Sequence, residues 1–353
     1  VLQTKKKILV APLNMGLGHA TRCIPIIEAL DNHGFEPVIA SDGAALALLK
    51  HEFPGIQAFE LPPCRIDYNY KGTFFKVKQL LGMPRILRCV ARERRHIAEL
   101  VKKYNIEGII SDSRPGARNA DVPSVIITHM LNVPGDTNLI TSELHKQFIR
   151  QYNECWVPDV KNGTNLSGKL GHTEDPTLKL KYIGPMSRLH KKPAEKKYDL
   201  MVLLSGPEPY RTQLEEKLEK ELQDYKGSII FIRGIIEAEE KAEQKGNILY
   251  YNFMNTATLE EALNETEMVV SRSGYSTIMD LAKLGKKAFF IPTPGQYEQE
   301  YLAKKLRKSG LAPFSNQKGF KAKDLKKVEN YKGLKEVSNI AKWKDLFSLF
   351  EGK

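Results

Sequence analysis

The sequence predicts an α/β protein made of two Rossmann-like, doubly wound domains in tandem. Three observations carry that expectation. Short apolar runs rich in β-branched residues alternate with amphipathic helical patterns along most of the 353 residues. The alternation dissolves between about residues 160 and 197 and then starts again. A chain of 353 residues also exceeds what one hydrophobic core usually supports.

In the first half, strands are expected at 7–12 (KILVAP), 36–41, 56–60, 107–111, 123–128 and 154–157, with helical patterns at 19–33, 43–51, 85–104 and 136–151. The continuous apolar character of these runs is that of parallel strands covered on both faces. From about 160 to 197 the chain turns to Gly, Pro, Asn and Lys, as in KNGTNLSGKLGHTEDP and LHKKPAEKK, broken by one short strand at 181–184. This stretch reads as a linker region. The second half places strands at 199–205, 228–233, 247–250, 267–271 and 287–292, with helices at about 209–224, 257–264, 275–284 and 296–308. A lysine-rich stretch follows Gly310, and a last helix is expected at 339–351. The domains are therefore placed at 1–188 and 189–338, with the helix in 339–353 packing back on the first domain. Two open α/β sheets arranged in this way are expected to face one another across a cleft at the carboxyl ends of their strands, where such sheets bind ligands.

Composition narrows the function classes. Hydrophobic residues at 41% and charged residues at 27% describe a water-soluble globular chain. Its longest apolar runs, such as AFFIP at 288–292, are far shorter than the roughly 20 residues a membrane helix needs. The opening VLQTKKK leads straight into a strand without an apolar signal region, which makes the expected location cytoplasmic. Cys23, Cys64, Cys89 and Cys155 have no metal-type spacing and are read as reduced thiols. A net charge of +12 calls for an anionic partner. No helix-turn-helix or RNA-binding aromatic signature points to nucleic acid, so nucleic acid is not expected as that partner.

Two loops hold the chemistry. In LVAPLNMGLGHATR a strand hands over to a helix through Gly16, Gly18 and His19. Glycines there let the backbone approach a ligand, and the helix start offers unpaired N–H groups. The run departs from the dinucleotide fingerprint because Thr21 stands at the third glycine position. His19 lies where the positive end of a helix dipole favours the neutral imidazole, a form able to accept a proton; as a capping or packing residue it would do none of this. In the second half, VVSRSGYSTIMD presents an Arg-Ser-Gly turn, Arg272, Ser273 and Gly274, at another helix start, which suits a diphosphate. Asp280 lies two turns further on, able to accept from both hydroxyls of a ribose, and Gln296, Gln299 and Glu300 offer hydrogen-bonding groups for a sugar.

Together these loops resemble those of the GT-B glycosyltransferases, most closely the branch containing the peptidoglycan enzyme that transfers N-acetylglucosamine from UDP to a lipid-linked acceptor. The resemblance spans nearly the whole chain in architecture and is motif-specific in the opening loop and over 269–306. It implies that Gly16, Gly18 and His19 belong to an acceptor domain and that Arg272, Ser273, Gly274 and Asp280 bind the donor. It also implies that Arg188 in IGPMSR faces the donor phosphates, that Ser205 and Gly206 lie beside them, and that Phe253 and Met254 lie against the base. Two departures stand out. Ser205-Gly206-Pro207 replaces the usual Gly-Gly-Ser, and Gln299-Glu300 replaces the Gln-Gln pair that reads the sugar, which leaves the identity of the sugar open.

The activity implied is inverting transfer of a sugar from a UDP-linked donor to an acceptor that is lipid-linked or part of a cell-envelope glycan, with no cofactor beyond the nucleotide sugar. No Asp-x-Asp pair ends a strand where it would hold a divalent ion on the phosphates, so metal-independent chemistry is expected, with arginines and helix N-termini stabilising the leaving diphosphate. His129, ending a strand in VIITHML, is placed on the acceptor side or in a structural role. The stretch 74–96 interleaves Phe74, Phe75, Leu80, Leu81, Ile86 and Leu87 with lysines and arginines. Such a stretch can lie on the inner face of an anionic membrane or pack as a helix with a solvated basic face. The alternative activity is hydrolysis, because the GxGHxxR loop from Gly16 to Arg22 also resembles that of nucleotide-sugar hydrolases, where His19 would activate water. A sugar-nucleotide sensor without chemistry is a third reading. Epimerases of related architecture carry a His-Arg-Arg run that LLSGPEPYR lacks.

Overall fold

The computed structural model describes residues 5–63, 75–132, 138–235, 237, 239–335 and 341–352, with only the backbone described over 75–83 and 138–141. The chain forms two compact units: Val1–Met186 together with Asn339–Lys353, and Ser187–Ser338. Ser187 and Arg188, assigned to the first domain from the sequence, belong to the second unit because both side chains bond within it, to Asp280 and Thr256.

In the first unit the strands are β1 (Lys7–Pro12), β2 (Glu36–Ser41), β3 (Ala58–Glu60), β4 (Ile106–Asp112), β5 (Ser124–Ile127), β6 (Glu154–Val157) and β7 (Leu180–Tyr182). Between them lie α1 (Gly18–Asn32), α2 (Gly43–Glu52), α3 (Phe75–Tyr104) and α4 (Asn138–Ile149). The strands form one parallel sheet in the order β3-β2-β1-β4-β5-β6-β7. The order reverses at the β1/β4 pair, the switch point at which doubly wound sheets open a crevice beyond their strand ends. Ile8, Leu9, Val10 and Ala11 are wholly buried, as expected of a central strand covered on both faces.

The second unit contains β8 (Tyr198–Leu203), α5 (Tyr210–Leu222), β9 (Ile229–Ile232), β10 (Ala242–Lys245), β11 (Ile248–Tyr251), α6 (Thr256–Asn264), β12 (Thr266–Ser271), α7 (Tyr275–Leu284), β13 (Lys287–Phe290) and α8 (Tyr297–Lys308). Its sheet runs β10-β11-β9-β8-β12-β13, with every pair parallel except β10 with β11. The last helix, α9 (Trp343–Glu351), returns to the first unit. It buries Leu346, Phe347 and Phe350, with Phe347 edge-on to Phe35 and Phe350 edge-on to Trp156. At about 1.5–3 kcal/mol for each large apolar side chain, this contact is enough to hold a nine-residue helix that would not be stable alone.

Three features differ from the expectations. Helix α3 begins ten residues before the expected position 85 and passes through Pro84. Residue 74 and the side chains of 75–83 lie outside the described residues, as do positions 136–137 and 339–340 of two other expected helices. Strand β10 was not foreseen: AEQK is exposed throughout and joins the sheet only as an antiparallel edge through the Gly246-Asn247 turn. Cys89 is disulfide-bonded, so the expectation of four reduced thiols holds for the buried Cys23 and Cys155 and fails for Cys89, while Cys64 lies outside the described residues. Bridging depends on how closely two Cα atoms approach in space, which spacing along the chain does not reveal. Among the described residues, no helix is long and apolar enough to cross a membrane.

Candidate active site

At the β1–α1 junction the chain turns through Gly16, whose φ of +76° is a left-handed conformation that other residues resist. Helix α1 then begins without a side-chain cap, and His19 is its second residue. The imidazole Nδ1 lies 2.9 Å from Oδ1 of Asp112, the last residue of β4. Parallel pairing of β1 with β4 sets Pro12 opposite Asp112, so the sheet itself brings the carboxylate to the foot of α1.

One helical turn along α1, Arg22 points the same way. Its Nε and Nη2 donate to the two oxygens of Asp112, Nη2 also lies 2.9 Å from His19 Nδ1, and Nη1 lies 3.2 Å from His129 Nδ1. Asp112 is fully buried and Arg22 is 2% exposed. Burial alone would raise the Asp112 pKa, but the Arg22 guanidinium and His19 overcome it and hold the carboxyl well below the usual range. Burial lowers the pKa of His19; the nearby Asp112 opposes this, and Arg22 and His129 add to it. The imidazole is therefore neutral at physiological pH and backed by an ionised carboxylate. That is the condition of a general base. His129 is buried two residues beyond β5 and belongs to the same cluster. Neither Asp112 nor Arg22 was among the residues assigned a role from the sequence. An aspartate directly following the apolar run IEGIIS at a strand's carboxyl end was the available signal for the first.

In the second unit the predicted residues fall into two groups. The first comprises Gly274, Ser205, Gly206, Arg188, Asp280, Phe253 and Met254. Gly274 is the N-cap of α7 and gives it no side-chain cap, and a Cβ there would meet only Thr277 Oγ1 at 4.0 Å, so the chain at this helix start leaves room for close approach. Ser205 and Gly206 are exposed in the loop after β8. Arg188 Nη1 donates to Thr256 Oγ1 at 2.6 Å, the first residue of α6. Asp280 is half-buried in α7, where its Oδ1 accepts from Ser187 Oγ at 2.6 Å. Burial raises its pKa to about 6 against the weaker opposing effects of Ser187 and Arg188. Phe253 is half-buried and Met254 nearly buried, on the loop between β11 and α6.

The other group turns inward. Arg272 is 1% exposed and donates to the carbonyls of Ile291, Pro292 and Tyr210 and to Gln317 Oε1. Through Nη1 and Nη2 it ties these loops together. Loss of solvent lowers its pKa to about 10. Ser273 is fully buried, with its hydroxyl donating to Gln299 O at 2.8 Å. Gln299 Oε1 accepts from Thr293 N at 2.8 Å, and Glu300 Oε1 accepts from Gly295 N at 2.9 Å. Gln296 is the N-cap residue of α8, its N–H donating to Thr293 O. These four brace the 291–300 loop, because a loop rich in Pro and Gly leaves backbone donors that only nearby side chains can satisfy. Among the described residues, no three His, Cys, Asp or Glu side chains group as a metal site.

Comparison with known proteins agrees with this architecture. Residues 210–338 match the glycosyltransferase family 28 C-terminal domain. An uncharacterized glycosyltransferase of Methanopyrus kandleri is 23% identical over 321 residues, 84% of this chain and 86% of that protein. The UDP-N-acetylglucosamine–N-acetylmuramyl-(pentapeptide) pyrophosphoryl-undecaprenol N-acetylglucosamine transferase of Mannheimia succiniciproducens is 27% identical over 334 residues, 89% of this chain and 86% of that one. The crystal structure of MurG of Acinetobacter baumannii superimposes with a TM-score of 0.58 at 15% identity over 93% of both chains. The protein is a glycosyltransferase of the GT-B fold. Within that class it is related to the UDP-N-acetylglucosamine transferases.

Proposed function

We propose that the enzyme moves a sugar from a UDP-linked donor to a hydroxyl of a lipid-linked or cell-envelope glycan acceptor, by direct displacement with inversion and without a metal ion. The observation that carries this reading is the His19 imidazole 2.9 Å from the buried Asp112 carboxyl, with burial lowering the pKa of the imidazole and Arg22 and His19 lowering that of the carboxyl. His19 removes the proton from the acceptor hydroxyl as its oxygen attacks the anomeric carbon. The bond from that carbon to the diphosphate breaks, and the electron pair leaves with UDP. Asp112 stabilises the imidazolium that forms. On the donor side, the N-terminus of α7 and the Arg188 guanidinium receive the developing phosphate charge, and Asp280 holds the ribose. Along α3, the exposed Arg85, Leu87, Arg88 and Arg92 would rest on an anionic membrane carrying the acceptor.

The test is to incubate the full chain with a panel of UDP-sugars, with and without polyprenyl-diphosphate-linked sugars, in the presence and absence of EDTA, and to follow UDP release and the anomeric configuration of the product. Acceptor-dependent, EDTA-resistant release with inversion is expected. Equal release without acceptor would make water the acceptor and the enzyme a hydrolase, and binding without release would end the catalytic reading.

A further inference from the structure

We propose that Arg22 is the positioning residue of the proton-transfer site: by occupying both oxygens of Asp112 it sets His19 and His129 in opposite tautomers, one offering a lone pair at Nε2 and the other an N–H. The inference deepens the role given above to His19 and rests on it for its catalytic meaning.

The argument starts from what each group can donate. A guanidinium has five N–H donors and no acceptor. Arg22 Nη1 lies 3.2 Å from His129 Nδ1, so that nitrogen must be the acceptor in this contact, and the proton of a neutral His129 then resides on Nε2. His129 so held is a donor. His19 Nδ1 stands differently, because it has a donor, Arg22 Nη2, and an acceptor, Asp112 Oδ1, both at 2.9 Å. Donation to the carboxylate prevails, since a hydrogen bond to an ionised oxygen is the stronger of the two and Nη2 already has Asp112 Oδ1 and, at 3.4 Å, Ser113 Oγ as partners. The lone pair of His19 is thereby left on Nε2.

Arg22 also governs how readily His19 becomes charged. The titratable and charged groups facing His19 are Asp112 from β4, Arg22 from its own helix and His129 from the segment after β5. Cys23, whose Sγ lies 3.7 Å from Asp112 Oδ2, is held as a thiol by burial and by that carboxylate. His145, on α4 beyond His129, is kept neutral by burial, with a pKa near 4. Arg22 is therefore the only fixed positive charge in this group of named residues. Without it, the negative charge of Asp112 would be opposed by burial and His129 but no longer by the guanidinium, and the balance would move toward the imidazolium, which has no lone pair for an acceptor hydroxyl.

The test needs no substrate. The full chain, labelled with 15N in histidine, is followed by long-range 1H–15N NMR from pH 5 to 9, with His19 and His129 assigned from the signals lost in His19→Gln and His129→Gln. The wild-type protein is expected to show His19 protonated on Nδ1 and His129 protonated on Nε2. In Arg22→Gln the midpoint of His19 should rise by at least one pH unit, about tenfold in proton affinity, and His129 should become a mixture of tautomers. Arg22→Lys, which keeps the charge but cannot fork, should leave the His19 tautomer in place and release that of His129. A wild-type His19 protonated on Nε2 would overturn the proposal even if neither variant folds. So would an unchanged midpoint in Arg22→Gln, or a His129 still locked in Arg22→Lys. Because no nucleotide sugar enters the experiment, failure of the UDP-release assay would overturn the function proposed above and leave this assignment standing.

Discussion

The chain contains two strand-to-helix junctions of the same topology that have been put to opposite uses. At β1–α1, side chains converge at the strand end: His19, Arg22 and Asp112 are joined by short polar contacts, and the proposed mechanism assigns proton transfer to this cluster. At β12–α7, the corresponding side chains turn inward, Arg272 and Ser273 bonding to neighbouring backbone carbonyls, and the helix start has no side-chain cap. Under the proposed mechanism the difference matches what each end would handle. Proton transfer needs a side chain that titrates, whereas a diphosphate leaving group needs donors that do not move, and backbone N–H groups braced from behind satisfy that need. One junction is built for reactivity and the other for rigidity.

The comparison breaks most sharply at His19. His19→Ala should lower acceptor-dependent turnover by about 10²–10⁴-fold, the usual contribution of a general base, with UDP affinity unchanged by calorimetry and the unfolding midpoint nearly unchanged. The slower reaction should also lose the acidic limb of its rate profile. In the wild type that limb lies below the ordinary histidine pKa of 6.5, because burial has lowered that of His19. Wild-type turnover in this variant would make the first junction as structural as the second.

Much of this contrast could be read from the sequence, though not its direction. The elements were legible because the central parallel strands are buried on both faces and therefore appear as uninterrupted apolar runs; Val269 and Val270 in β12 and Ile8 to Ala11 in β1 are examples. Strand β10 was missed because AEQK buries nothing and owes its place to its partner's backbone; the Gly246-Asn247 pair was the one signal of that hairpin. At the site, Gly16 and His19 were legible as a strand-to-helix turn. Asp112 was not, since 93 residues separate it from His19 and only the pairing of β1 with β4 brings them together. For Arg272 the residue type suggested phosphate binding, but nothing in a motif says which way a side chain turns. Four backbone and amide oxygens from three separate segments decided it.

That inward turn yields the next prediction, intermediate in size. Arg272→Ala would leave the carbonyls of Ile291, Pro292 and Tyr210 without their donor in a buried setting, at a cost of about 1–3 kcal/mol for each group that finds no replacement. Urea denaturation should therefore show a loss of at least about 2 kcal/mol, and UDP affinity should fall with it as the loop from Ile291 to Glu300 loosens. His19→Ala and Arg272→Ala would thus form a crossed pair, one losing rate without stability, the other losing stability and affinity together. An Arg272→Ala variant of full stability that has lost only UDP binding would restore Arg272 to the role of phosphate ligand.

The smallest effect is expected at Asp280, which combines the habits of both junctions because it is braced by Ser187 and yet only half-buried. Burial moves its pKa up from 3.8 to about 6, so the folded state holds the proton more tightly than the unfolded chain does. The stability this provides is complete below pH 3.8, where both states are protonated, and is lost as pH rises to about 6. Asp280→Asn cannot ionise and should lack this loss. Its unfolding free energy, compared with the wild type in urea at a series of pH values, should therefore gain steadily between pH 4 and 6 and hold a constant advantage above that. A pKa displacement of this size corresponds at most to about 3 kcal/mol, and solvent screening of a half-buried carboxyl reduces it to the order of 1 kcal/mol. The same variant should bind UDP more weakly by about 1–3 kcal/mol, because a neutral amide replaces a charged acceptor for the ribose hydroxyls. Stability gained and affinity lost in one substitution would mark a carboxylate retained for its ligand. Parallel stability curves with unchanged UDP affinity would place Asp280 with Arg272 and Ser273 among the braces.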